Sequence, residues 1–156
     1  MSRMFPSSSP RHVRGMSLIE VLVAVMILAI GLLGIAAMQS LALRSGQGSL
    51  ESSQAVMQTA SIIEAMRANP SGSYNGTYTA PPSSPTTIAS RDLNEWIAGM
   101  QGVANWQART ITPAIIGADA QATISGCPNA CIITVQWNDS RAGGSATRRI
   151  ETRTSI

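Results

Sequence analysis

The feature that most constrains this chain is an apolar run with one acid near its start: MSLIEVLVAVMILAIGLLGIAAM, residues 16–38. After Glu20 there are 23 consecutive uncharged residues, 21–43, and the next charge is Arg44. As a helix rising about 1.5 Å per residue, this stretch reaches roughly 34 Å, enough to cross a bilayer. It is apolar on every face, so a soluble fold would have to bury it completely. The remainder is rich in Ser, Thr, Gly, Asn and Gln, and aromatic residues make up only 4% of the chain. It offers too little apolar surface to cover such a helix. A transmembrane segment over about 18–40 is predicted.

Charge fixes the orientation. Arg3, Arg11 and Arg14 precede Gly15, and by the positive-inside rule they hold that end in the cytoplasm. Without residues 1–15, eight Arg face eight Asp plus Glu, and the formal charge falls from +3 to zero. The basic pI therefore belongs to the leading segment and argues for no nucleic-acid partner. An ordinary secretory signal is cut after its apolar region, beside small residues. Here the plausible cut lies before that region, at Gly15–Met16, and leaves the apolar helix at the new N-terminus.

What is missing bears on chemistry. The chain has no Lys, which excludes a P-loop lysine and a Schiff base. Its one His is His12, in the leading segment, so neither a Ser-His or Cys-His pair nor an imidazole metal ligand is available downstream. The eight acids are scattered. No enzyme activity, metal or cofactor is expected.

Gly15-Met16-Ser17-Leu18-Ile19-Glu20 followed by VLVAVMILAIGLLG resembles the class III leader and N-terminal helix of type IV pilins and pseudopilins. Over about 25 residues it is most similar to minor pilins of the PilV type, and the later VQWND stretch leans the same way. The resemblance implies that a prepilin peptidase cuts after Gly15 and methylates the amine of Met16. It places Glu20 fifth in the mature chain, where the family carries its assembly glutamate. It further implies an α+β pilin fold, with a long N-terminal helix packed on a small antiparallel sheet. The implied partners are other minor pilins, the major pilin and the inner-membrane assembly platform, and the implied roles are adhesion and twitching motility. The mature chain is expected in the inner membrane, single-pass, with a periplasmic domain, and then in the extracellular pilus. Two readings compete: a minor pseudopilin of a type II secretion system, whose leader is the same, and a DNA-uptake pilin. Two departures stand out. Met16 lies where many major pilins carry Phe, and Ala37 where many carry a kinking Pro.

The expected organisation is a leader at 1–15, a spine helix at 16–68 and a globular domain at 69–156. In the second half of the spine, Leu50, Val56, Met57, Ala60, Ile63 and Met66 form a stripe predicted to cover the sheet. Gly46 and Gly48 are weak points costing about 1 kcal/mol each against Ala. Asn69-Pro70 ends the helix. Residues 69–90 are turn-formers and prolines, either a surface loop or a passive connector. Ser90 is expected to cap a short helix with Asp92 in its first turn and Leu93, Trp96, Ile97 and Met100 on one face.

Strands are expected at WQARTIT, AQATIS, IITVQW and TRRIETRT, the last as an exposed edge. Cys127 and Cys131, outside the cytoplasm and with no other cysteine or His near, read as a structural disulfide. Arg141, Arg148, Arg149 and Arg153 form a loose basic cluster interrupted by Asp139 and Glu151. It reads as a solvated face.

Overall fold

The computed structural model describes residues 15–110 and 114–156. The leader residues 1–14, with Arg3, Arg11, His12 and Arg14, lie outside the described residues. Two compact units are separated at Ser40 and Leu41. The helix α1, Leu18–Ala68, contributes its first half to one and its second half to the other. It ends where Asn69-Pro70 predicts, and its last turn carries an Arg67–Glu64 pair at 2.8 Å.

From Leu41 onward the architecture is α+β. The second half of α1 and a second helix, α2 (Ile88–Gln101), pack with a four-stranded antiparallel sheet. The strands are β1 (Gly76–Tyr78), β2 (Gln121–Ser125), β3 (Cys131–Trp137) and β4 (Arg148–Thr154), in spatial order β1-β2-β3-β4. The register pairs Ile124 with Ile133 and Val135 with Ile150. Alternation explains the burial. Cys131, Ile133, Val135 and Trp137 of β3 and Ala122 and Ile124 of β2 all point into the core. They meet Ile62 and Met66 of α1 and Leu93, Trp96, Ile97 and Met100 of α2, the face expected of α2. β4 is an edge strand with Arg149, Glu151 and Arg153 exposed, as its polar alternation predicts.

Four expectations are corrected. First, the buried stripe of α1 is Gly48, Ala55, Thr59, Ile62, Ile63 and Met66. Leu50, Val56 and Met57 are more than half exposed, and Ala60 is exposed. Small residues and a threonine face the core because the helix approaches closely. Thr59 satisfies its hydroxyl on the Ala55 carbonyl at 2.8 Å.

Second, Gly48 is a contact point rather than a flaw. A Cβ there would meet Asp139 Oδ1 at 3.0 Å and Ala142 Cβ at 3.1 Å.

Third, the cap of α2 is Thr87. Ser90 N–H donates to Thr87 Oγ1 at 3.1 Å and Thr87 N–H donates to Ser90 Oγ at 2.9 Å, a reciprocal capping box in which Ser90 is the third helical residue. Asp92 therefore lies beyond the first turn. At the other end Gly102 adopts φ 70°, a left-handed cap that favours glycine.

Fourth, β1 lies inside the proline-rich connector, whereas WQARTIT forms no strand over its described residues. Asn105 Oδ1 accepts from Gln107 N–H and Arg109 N–H, which turns the chain, and only an isolated Ala104–Thr110 bridge remains. Ile111 and Thr112 lie outside the described residues.

Candidate functional site: the apolar N-terminal helix

α1 begins at Leu18, with the N–H groups of Glu20 and Val21 both donating to the Ser17 carbonyl, at 3.0 and 3.3 Å. This places Glu20 in the first turn, where the helix dipole favours an anion. Its surroundings oppose it. Every residue from Leu18 to Ser40 is exposed, and the most apolar 18-residue window has a mean hydropathy of 2.9 with none of it buried. A contiguous apolar surface of this size needs lipid or other helices to cover it. Glu20 is the only ionisable side chain between Gly15 and Arg44.

Gly15 and Met16 precede the helix and are exposed. A Cβ on Gly15 would have no atom within 4 Å. Nothing among the described residues requires glycine there.

The cysteines lie in the second unit. Cys127 and Cys131 are joined by a disulfide that closes the β2–β3 hairpin. Three segments meet at this loop. Asn75, just before β1, bonds both backbone groups of Cys127, accepting from its N–H at 3.1 Å and donating to its carbonyl at 3.2 Å. The Ile156 N–H donates to the Pro128 carbonyl at 3.0 Å. The staple therefore ties down the start of one edge strand and the residues after the other. Replacing both cysteines with Ser is expected to lower stability by about 2 kcal/mol, the chain-entropy value for so short a loop. Urea unfolding with and without reductant measures the loss. Labelling of both thiols in native protein without reductant would refute the bond.

The basic cluster is largely neutralised within the chain. Arg148 pairs with Asp139 and its guanidinium lies 5.9 Å from the centre of the Trp137 ring. Arg153 pairs with Glu151 at 2.9 Å and Arg141 approaches Glu51 at 3.7 Å. Of the four, Arg149 alone forms no ion pair among the described residues. Among the described residues no three His, Cys, Asp or Glu side chains gather as a metal site.

Asp139, read from the sequence only as an acid among the arginines of a solvated face, is buried. It is 1% exposed, and one carboxylate oxygen is bonded to Arg148. The other oxygen has no hydrogen-bond partner among the described residues and rests against Gly48 of α1. Its only sequence signal is its place in Asn138-Asp139-Ser140, shortly before Gly143-Gly144, where a tight connection follows β3.

Residues 10–36 match the family model of the prokaryotic N-terminal methylation motif. The match spans Gly15, Met16 and Glu20 and most of the apolar helix, and stops short of the sheet domain. No curated protein and no solved structure matches the chain. The motif supports a type IV pilin-like or pseudopilin role, processing by a prepilin peptidase, and membrane anchoring through the apolar helix. The long apolar helix and the small four-stranded antiparallel sheet form a pilin-like α+β layout.

Proposed function

We propose that the chain is a minor pilin of the PilV type, required for the assembly or initiation of type IV pili. In this reading residues 1–15 are a leader removed between Gly15 and Met16. The new amine of Met16 is methylated, residues 16–68 form the spine, and residues 69–156 form a periplasmic domain. Glu20 serves assembly. The subunit waits in the inner membrane and then enters the pilus beside other minor pilins and the major pilin.

One observation carries this reading: the methylation motif coincides with the first half of α1, whose apolar residues from Leu18 to Met38 are all uncovered, with a single acid in the first turn. A charged group near the bilayer centre costs roughly 2.5–3.5 kcal/mol on insertion scales, and less near the end of a span. Such an acid calls for a cation. Cleavage after Gly15 supplies one four residues before Glu20, at the Met16 amine.

The test is the mature N-terminus. Mass spectrometry of protein from the membrane is expected to give a chain starting at methylated Met16. Gly15→Phe is expected to retain the leader, since the fold itself tolerates a side chain at this position. Wild-type protein that still begins at Met1, or is cut after residue 38, would overturn the assignment. Presence in sheared pili, rather than only beside a secretion apparatus, separates the pilin from the pseudopilin.

A further inference from the structure

Asn75-Gly76 is the one Asn-Gly pair in the chain; every other asparagine is followed by Pro, Glu, Trp, Ala or Asp. In such a pair nothing on the second residue hinders its backbone nitrogen from attacking the preceding side-chain amide, because glycine has no Cβ. The fold calls for each residue separately. Asn75 makes the two bonds to Cys127, at 3.1 and 3.2 Å, which one amide can do because it carries both an acceptor and a donor. At Gly76 a Cβ would lie 2.8 Å from Tyr78 Oη and 3.0 Å from Cζ, and that hydroxyl is anchored on the Tyr74 carbonyl at 2.9 Å. A labile amide is therefore built into the start of β1.

The same geometry holds it inert. Both polar atoms of the Asn75 amide are engaged on Cys127, and Gly76 is paired with Ile124 in the sheet. Cyclisation needs the Asn75 Cγ to leave Cys127 and turn onto the Gly76 nitrogen. Cys127 is in turn tethered to Cys131, which is wholly buried at the start of β3. Asn75 itself is exposed, so water and base reach it once it is released.

We infer that Asn75 is a deamidation site that the Cys127–Cys131 disulfide keeps shut. A dithiol opens the disulfide by exchange: its own sulfurs are oxidised to a disulfide, and the two cysteines are reduced to thiols. The freed loop lets go of Asn75. The Gly76 nitrogen then loses its proton and bonds to Cγ, the Cγ–Nδ2 bond breaks, and ammonia leaves. Water opens the cyclic imide to aspartate or isoaspartate, with no change of oxidation state. Neither product restores the clasp, since a carboxylate accepts from the Cys127 N–H but has no hydrogen to give its carbonyl. Loss of a reversible bond thus becomes a permanent change at the sheet edge. The inference is independent of the filament reading.

The test follows the mass of the peptide around Asn75 in the full chain, kept in detergent in mildly alkaline buffer. Trp137 fluorescence reports whether the domain is folded. Oxidised native protein is expected to keep Asn75, and the urea-unfolded chain with its disulfide intact to lose it. Cys127→Ser with Cys131→Ser, still folded, is expected to deamidate at Asn75 about tenfold faster than wild type. Asn75→Asp makes the product directly and keeps the disulfide. It is expected to be reduced by dithiothreitol about fivefold faster than wild type, the effect of one lost hydrogen bond. This second variant decides the matter if the Ser pair loses the folded Trp137 signal. The site is refuted if native oxidised protein deamidates as fast as the unfolded chain, if the folded Ser variant keeps Asn75 as wild type does, or if Asn75→Asp is reduced no faster than wild type.

Discussion

Glu20→Ala protein is expected to enter the membrane and lose its leader normally, yet to be nearly absent from pili. The two halves of this result have different causes. Insertion is driven by the apolar residues that follow, all uncovered by the protein itself, and removing an acid only lowers the cost of placing them in lipid. Assembly depends on what the acid meets. A carboxylate at a membrane edge must find a cation or take up a proton. In the proposed reading, the Met16 amine freed by cleavage lies about one helical turn away, and the same amine on a neighbouring helix is reached when subunits stagger. Losing Glu20 is then expected to remove the pairing that sets this stagger. Glu20→Gln separates charge from hydrogen bonding, because the amide keeps an acceptor but not the ion pair. Fractionation of cells followed by immunoblots of sheared pili reads each step. Wild-type amounts of Glu20→Ala protein in sheared pili would reduce Glu20 to a tolerated acid at the headgroups.

What could be read from the sequence depended on whether an element announces itself locally. The span of α1 was legible because its apolar run, its lack of charge and the Asn69-Pro70 stop lie in consecutive residues. The inward face of α2 was legible because Leu93, Trp96, Ile97 and Met100 repeat at helical spacing, and the three longer strands because they alternate. The N-terminal motif was legible for the same reason, being a contiguous string from Gly15 to Glu20.

The remainder depended on partners distant in sequence. The stripe on α1 was placed on its largest apolar residues, but close approach of the β3–β4 connection selects Gly48, the small Ala55 and Thr59 are buried further along, and large side chains such as Leu50 and Met57 are left outside. β1 has three residues and no alternation, and it exists because β2 offers an edge and Asn75 clasps Cys127. Trp106–Thr110 has strand-like composition, yet four hydrogen bonds within Asn105–Arg109 bend it into a turn. The burial of Asp139 was not legible, since a buried acid is defined by the arginine and glycine it meets in space.

That meeting gives the second large effect, and two glycines separate it from any general property of the helix. Gly46 and Gly48 stand two residues apart in α1, and propensity treats them alike. The fold does not. A side chain at Gly46 enters open space, whereas one at Gly48 runs into Asp139 and Ala142. Asp139 has little room to yield: it is buried, tied to Arg148, and backed by Gly144. Gly48→Leu is therefore expected to push the β3–β4 connection off the helix and destabilise the domain by about 2–3 kcal/mol, the usual range for overpacking. That corresponds to a Tm lower by on the order of 10 °C. Gly46→Leu is expected to be neutral, or to stabilise by up to about 1 kcal/mol through helix propensity alone. Thermal unfolding of the full chain in detergent, followed by the fluorescence of buried Trp137, compares the two. Trp137 is a suitable reporter because it lies beneath the Arg148 guanidinium and senses the same connection. If both variants move Tm equally, Gly48 is an ordinary helix glycine, and the contact between α1 and Asp139 does not hold the domain together.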